Sequence, residues 1–229
     1  MIILGIIIFV VGIILIIIAK NQKKLSEIAK GSTKVLIKDI KPGMPIEISG
    51  IIEAPKPIKT PFTNRPCVYY EYELERREES QENPGQYVWR RIAQDSSSIP
   101  FWVRDDTGHV TVYPESAKIE AAKIGERVLE PEAISSNPVV QGYFSLIENY
   151  TTRAREKALL VSTPVHILGE AMPTEKETVI QKGRSPFLIS NKTEQDLQKE
   201  LERNVTVTAT IGILGLIGGI VLIVVGLLF

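Results

Sequence analysis

Three side chains in this sequence are of the types that work together as nucleophile, base or metal ligand: Cys67, His109 and His166. A thiol beside an imidazole is a nucleophile with its base, the pairing of a Cys-dependent hydrolase. That chemistry needs the two groups within hydrogen-bond reach, and the sequence sets no distance between them. Cys67 also opens an alternating run, Val68-Tyr-Tyr-Glu-Tyr-Glu-Leu-Glu75, and a free cysteine is most often a small buried residue. The simpler reading is a core thiol, and no catalytic residue is assigned. Asp105 and Asp106 are adjacent carboxylates that could bind a cation. Between two apolar runs, however, Asp105-Asp106-Thr107-Gly108 has the composition of a hairpin turn. His166 lies in a strand-like run and is expected to face solvent or a hydrogen-bond partner. A structural zinc needs about four Cys or His ligands, more than one Cys and two His supply. No metal or cofactor is expected, and no phosphate-binding or nucleophile-elbow glycine pattern is present.

Aromatic residues offer binding instead of catalysis. Trp89, Trp102, Tyr69, Tyr70 and Tyr87 interleave with Arg90, Arg91 and Arg104. Rings and guanidinium groups of this kind serve both cores and recognition surfaces. Lys+Arg and Asp+Glu each total 27, so no basic excess attracts nucleic acid.

The elements that must position these residues are framed by the ends of the chain. Ile2 to Ala19 has no charged or polar side chain and, as a helix, rises about 27 Å, close to the hydrocarbon thickness of a bilayer. Only Met1 precedes it and Lys20, Lys23 and Lys24 follow, the reverse of a cleaved signal peptide. Val205 to Phe229 is the second apolar run. The sequence therefore divides into a transmembrane helix at 1–19, a soluble domain at 20–204 and a second transmembrane helix at 205–229. The expected fold class is a membrane protein with an α+β, β-rich soluble domain between two transmembrane helices, the lipid bilayer being its first partner.

Small residues mark one stripe of each helix. Gly5 and Gly12 are a heptad apart, and Thr208, Gly212, Gly215, Gly219 and Gly226 share a face. Lipid gives no hydrophobic drive for helix association, so such stripes allow close backbone approach, between the two helices or between copies of the chain. Positive charge sets the orientation. Lys20, Lys23, Lys24, Lys30 and Lys34 follow the first run against Glu27 alone, and Lys192, Lys199 and Arg203 precede the second. The positive-inside rule puts the central domain in the cytoplasm. The triplets starting at Asn149, Asn191 and Asn204 have the pattern of glycosylation acceptors and point the other way.

The central domain reads mostly as strands. Lys34–Ile40 alternates weakly. Pro45–Glu53 is a strand with a possible bulge at Gly50. Val68–Glu75 and Tyr87–Ala93 flank a polar loop at Asn83-Pro84-Gly85 and read as a hairpin, as do Ile99–Val103 and His109–Tyr113. The charged run from Glu71 to Glu82 reads as a solvated strand end and loop. Glu115–Lys123 suggests a short helix, and 139–160 is ambiguous. Val165–Leu168 and Thr178–Lys182 are further strands. Thr193 with Asp196 resembles a capping box, followed by a helix running into the second span. A weak repeat links Pro45-Ile-Glu-Ile-Ser-Gly50 to Pro164-Val-His-Ile-Leu-Gly169, two strands each begun by Pro and bent at Gly.

From Thr60 the sequence resembles a known family. Thr60-Pro-Phe-Thr-Asn-Arg-Pro-Cys-Val-Tyr-Tyr-Glu-Tyr-Glu, then Phe101-Trp-Val-Arg-Asp-Asp-Thr-Gly-His-Val-Thr-Val, Glu156-Lys-Ala-Leu-Leu, Val165-His-Ile-Leu-Gly-Glu-Ala and Pro186-Phe-Leu-Ile-Ser resemble the GIDE domain. It is also described as a "beside a membrane" (BAM) domain, and occurs in mitochondrial RING-type ubiquitin ligases and prokaryotic relatives. Pro66, Cys67, Tyr69, Asp105, Gly108 and Gly169 carry the motifs. In those ligases a RING follows the second span and recruits the charged conjugating enzyme. This sequence stops at Phe229 and lacks the cysteines for a RING, so the resemblance implies a ligase-type domain without its transfer module. It also implies a location between the mitochondrial membranes, opposite to the charge rule. The expected function is a membrane-anchored interaction domain that is not an enzyme by itself. One alternative is a component of a ubiquitin-protein transferase system using a RING from another chain. The other is a Cys67 hydrolase.

Overall fold

The chain divides into two compact units, one built from its two ends and one from residues 34–192. The computed structural model describes residues 2–31, 34–129, 137–192 and 194–228.

Both apolar ends are helical. Helix α1 spans Ile2–Gly31 and the last helix of the chain spans Glu194–Leu228. Each runs well past its apolar segment, so residues 19 and 205 mark changes of composition inside longer helices. The final helix continues unbroken into the apolar run, while Thr193 of the capping pattern lies outside the described residues. Thr206 and Thr210 donate their hydroxyls to the carbonyls of Glu202 and Thr206 at 3.0 and 2.8 Å, which satisfies these groups within the helix. Stretches Ile2–Lys23 and Glu202–Leu227, with mean hydropathy 3.6 and 2.6, are long and apolar enough to cross a membrane.

The two helices pack antiparallel. A Cβ on Gly12 would stand 2.8 Å from the Leu216 nitrogen and 2.9 Å from the Gly212 oxygen. One on Gly5 would stand 2.9 Å from the Gly219 oxygen, and one on Gly219 would stand 2.7 Å from the Phe9 nitrogen. Residues with a side chain cannot meet at that separation, so the glycines set the spacing. Gly215 lies over the Gly12 backbone. Thr208 and Gly226 are half-buried, and Ala19 extends the buried heptad of Gly5 and Gly12. Gly218 faces open space.

In the second unit, strands are β1 (Pro45–Glu53), β2 (Ile58–Lys59), β3 (Pro66–Glu79), β4 (Tyr87–Ser98), β5 (Phe101–Asp105), β6 (Gly108–Val112), β7 (Lys118–Glu120), β8 (Ala122–Leu129), β9 (Thr152–Leu160), β10 (Pro164–Pro173), β11 (Thr178–Gln181) and β12 (Leu188–Ser190). Short helices α2 (Pro138–Gln141) and α3 (Phe144–Ile147) precede β9, which makes the C-terminal helix α4.

The first sheet closes on itself. β1 pairs with β5, β5 with β6, β6 with β11, β11 with β10, and β10 with β1, giving a five-stranded ring extended by β12 and β7. Its interior is filled by Ile46, Ile48, Ile52, Phe101, Val103, Val110, Val112, Val165, Ile167 and Ile180. The two repeat segments are β1 and β10, and they pair with each other. Ile48 lies opposite Ile167, Pro45 opposite Glu170 and Ile51 opposite Pro164, so equivalent positions are related by a local two-fold axis. The symmetry extends outward: β1 pairs with β5 over Ile51–Glu53, and β10 pairs with β11 over Glu170–Met172. Gly50 and Gly169 sit where each strand turns from one neighbour to the next. A Cβ on Gly50 would fall 2.5 Å from the Arg104 oxygen, and one on Gly169 would fall 3.0 Å from the Phe187 ring. Glycine is required at Gly50 because β5 crosses it at the barrel corner.

The second sheet has the order β2-β3-β9-β8, with β4 also on β3. One face packs Tyr72, Leu74 and Ala154 against Phe62, Val140 and Ile147. Three expectations need correction. Glu115–Lys123 is no helix: β7 runs parallel to β12, with the Lys118 nitrogen donating to the Phe187 oxygen at 2.8 Å. Lys34–Ile40 is not a strand but a single bridge at Lys34 followed by a 3-10 turn at Ile37–Asp39. In the charged run the strand end lies further on than expected: β3 continues to Glu79, and only Ser80–Glu82 of the run is loop.

Candidate interaction surface

The residues that carry the family motifs mostly hold the fold together. The turn at Thr60–Arg65 is closed by three bonds from backbone N–H groups. The Thr60 nitrogen donates to the Arg65 oxygen, the Asn64 nitrogen to the Thr60 oxygen, and the Arg65 nitrogen to Thr60 Oγ1. Asn64 takes φ 54°, a left-handed conformation that Asn tolerates better than most residues. The buried carboxylate of Glu156 reaches this turn from β9. Its oxygens accept from the Phe62 nitrogen at 2.6 Å and the Thr63 nitrogen at 2.9 Å. Segments 60–67 and 156–160, far apart in sequence, thus meet at one clamp. Pro66 opens β3, and its oxygen accepts from the Val161 nitrogen. Sequence reasoning missed the role of Glu156, because nothing local links it to the turn.

Cys67 is fully buried beside Ala158 and Leu160 in the second sheet. Burial, with the Glu156 charge adding to it, pushes the Cys67 thiol up to about 11. It is therefore a thiol, not a thiolate, at neutral pH. His109 belongs to the barrel and packs against Trp102 with ring centroids 5.6 Å apart and ring planes tilted by 51°. His166 is also on the barrel, where Nδ1 and Ser49 Oγ lie 2.8 Å apart. The structure does not bring the three together as nucleophile and base. Among the described residues, no three Cys, His, Asp or Glu side chains are grouped to hold a metal.

Asp105 ties the barrel to the segment before it. Oδ1 accepts from Thr107 nitrogen, Thr107 Oγ1 and Gly108 nitrogen at 2.7, 2.6 and 3.1 Å, while Oδ2 accepts from the Ile37 nitrogen at 2.9 Å. Burial opposes its charge, yet these bonds outweigh it and hold the carboxyl below the usual range. Tyr69 is half-buried, and its hydroxyl donates to Glu71 at 3.2 Å. Asn191 bridges the two sheets: Oδ1 accepts from the Ala122 nitrogen and Nδ2 donates to the Ala158 oxygen. Its side chain is thus engaged, whereas Asn149 is exposed.

What remains open is the outer face of the second sheet. Glu71, Glu73 and Glu75 on β3 stand opposite Lys157, Arg155 and Arg153 on β9. Their ion pairs lie at 3.4, 3.8 and 2.6 Å, each such cross-strand pair contributing about 0.2–1 kcal/mol. Glu126 of β8 and Arg91 of β4 extend the ladder on both sides. At one end the guanidinium groups turn to rings. Arg153 lies 4.1 Å from the Trp89 ring centre, Arg77 4.6 Å from Tyr87 and, on the other face, Arg76 4.5 Å from Tyr150. Of the residues singled out for recognition, Trp89, Tyr87, Arg90 and Arg91 gather on β4. Trp102 and Arg104 belong to the barrel, where Arg104 pairs with Glu53 at 2.5 Å. Tyr87, Val88, Val128, Phe144, Leu146 and Tyr150 are exposed large side chains near this end.

Residues 70–225 match the family model GIDE, described as E3 ubiquitin ligase. The chain belongs to the GIDE family. No curated protein and no solved structure matches it. The GIDE match runs from β3 through the open face and four of the five strands of the ring, all but β1, into α4. Asp105, Gly108 and Gly169 lie inside it, whereas Pro66, Cys67 and Tyr69 lie just ahead. The GIDE region thus includes both the ladder and the ring-bearing end of the sheet.

Proposed function

We propose that this chain is a membrane-tethered GIDE domain that docks a protein partner and carries out no group transfer itself. The observation behind this reading is the use of its polar residues. Cys67, Asp105 and Glu156, the side chains best suited to chemistry, are sealed in or bonded to backbone, while the open sheet face carries Trp89, Tyr87 and their arginines. Aromatic rings and arginine are the side chains that dominate binding energy at protein interfaces. The apolar helix pair would sit in the bilayer, its large Ile, Leu and Val side chains toward lipid and its glycines inward. The lysines after α1's apolar run would hold the sheet-bearing unit on the cytoplasmic side.

A second reading follows from the family's description as E3 ubiquitin ligase. The chain would then be the anchoring part of a ubiquitin-transfer complex, with a RING on another chain recruiting the charged conjugating enzyme. One experiment addresses both. Full-length wild type and Tyr87→Ala/Trp89→Ala are recovered from cross-linked native membranes, and their partners are identified. The docking reading expects a defined partner with wild type and at least a tenfold loss with the variant. A RING protein among the partners supports the second reading, and equal recovery with both chains contradicts docking through this face.

A further inference from the structure

We propose that two copies of this chain associate by pairing their β4 strands antiparallel along the free edge of the second sheet. The inference goes beyond partner docking and concerns a different surface, the edge of the sheet and not its face.

β4 is a 12-residue strand whose only sheet neighbour among the described residues is β3. It contains neither proline nor glycine, and most of its side chains are exposed. A long edge strand of this kind offers a row of unpaired backbone groups to another strand. Which groups face outward follows from its bonds to β3. Ile99 donates to the Val68 oxygen at 2.9 Å, so past the bulge the odd-numbered residues face β3 and Gln94, Ser96 and Ser98 face out; the Ser96 N–H donates to Asp95 Oδ1 at 2.8 Å, a bond that pairing exchanges for one across the dyad. At the other end Ser80 donates to the Gln86 oxygen at 2.7 Å, so the even-numbered residues face β3 and Tyr87, Trp89 and Arg91 face out. The register shift beside Leu74 and Glu75 leaves Ile92 as the extra residue and switches the alternation between them.

That switch makes the edge self-complementary about an axis that falls between two residues. Laid antiparallel on a second copy about an axis between Ile92 and Ala93, each outward residue meets another. Tyr87 faces Ser98, Trp89 faces Ser96, and Arg91 faces Gln94. Each such pair exchanges two hydrogen bonds, about twelve in all across the dyad. Without the bulge, outward positions in the two halves would share parity and the matching axis would fall on a residue, so the bulge selects the register. The charges agree with the same register. Arg90 falls opposite Asp95 of the second copy, twice by symmetry. Both are exposed, and Arg90, already paired with Glu78, keeps further N–H donors for a second carboxylate. In this arrangement the ladder face of one copy continues into that of the other.

The test uses the full-length chain in detergent at rising protein-to-detergent ratio, spin-labelled through Ser96→Cys, with buried Cys67 left unreacted. In the proposed register, residue 96 of one copy lies opposite residue 89 of the other. The labelled backbones are then seven residues, about 24 Å, apart. The expected result is a distance population near that value, reduced about tenfold by Arg90→Asp or Asp95→Arg alone and restored when both are present. Gln94→Pro, which removes an outward N–H, should abolish the population while leaving the tryptophan emission of the folded chain unchanged. A chain that stays monomeric overturns the proposal. So does a dimer indifferent to both reversals, which would place the contact in the helices. So does an edge protected from hydrogen exchange only when a different protein is added.

Discussion

The clamp between Glu156 and the Thr60–Arg65 turn makes the sharpest prediction about how this domain is held. Glu156→Ala removes the shared acceptor of the Phe62 and Thr63 N–H groups, bonds of 2.6 and 2.9 Å made by a buried carboxylate. A hydrogen bond to a charged partner contributes about 1.5–3 kcal/mol, so losing two is expected to cost about 3–6 kcal/mol. That is a large part of the 5–15 kcal/mol typical of a domain. Glu156→Gln keeps one acceptor but turns an amide donor on the other N–H, so an intermediate loss of about 2–3 kcal/mol is expected. Both tryptophans, Trp89 and Trp102, belong to the unit of residues 34–192, so their emission during urea unfolding of the full-length chain reads this unit alone. A second assay follows Cys67, which sits next to the clamp. Its labelling by a thiol reagent requires opening, and a 3–6 kcal/mol loss raises the open fraction by roughly 150-fold to 25,000-fold. An unfolding free energy within about 1 kcal/mol of wild type, with unchanged Cys67 labelling, would refute the clamp.

Other perturbations test the remaining parts. Gly50→Val pushes a side chain into the Arg104 carbonyl and is expected to destabilise the barrel by at least about 3 kcal/mol in the same urea assay, whereas exposed Gly85→Asn, at φ 85°, should change it by less than about 1 kcal/mol. Gly12→Leu should separate the two helices, read as loss of a short spin-label distance between α1 and α4, while Gly218→Leu, which meets open space, should leave that distance in place. Asp105 titrates below the usual carboxylate range, so its stabilisation is present above its unfolded value near 4 and fades as pH falls through the lower folded value. Asp105→Asn should therefore be less stable than wild type at pH 7, and the gap should narrow below about pH 4 as measured by urea unfolding.

Several features of this fold were legible in the sequence because they are local or periodic. The apolar ends could only be helices, and glycines a heptad apart marked the face on which they meet. The Pro–Gly repeat identified two equivalent strands, although not that they would pair with each other about a two-fold axis. Asp105-Asp106-Thr107-Gly108 read correctly as a turn, and its further bond to Ile37, 68 positions away, had no local sign. The ladder left a trace that could have been read: Glu at 71, 73 and 75 has the same period as Arg153, Arg155 and Lys157, which is what facing strands require. Glu115–Lys123 misled because its residues favour a helix in isolation, while β12 supplies a parallel neighbour that propensity cannot anticipate. The bulge at Ile92 was equally hidden, since it is imposed by the partners of β4 and not by its own residues.

The central claim, a membrane-tethered GIDE domain that docks a partner, is tested most directly by cross-linking mass spectrometry on alkali-washed native membranes with a reagent that cannot cross the bilayer. The expected result is that the chain stays in the washed membrane and cross-links, through the unit of residues 34–192, to a second protein when the reagent reaches the cytoplasmic face. Release of the chain by the alkaline wash, or its recovery from membranes with no cross-link to any other protein, would contradict it.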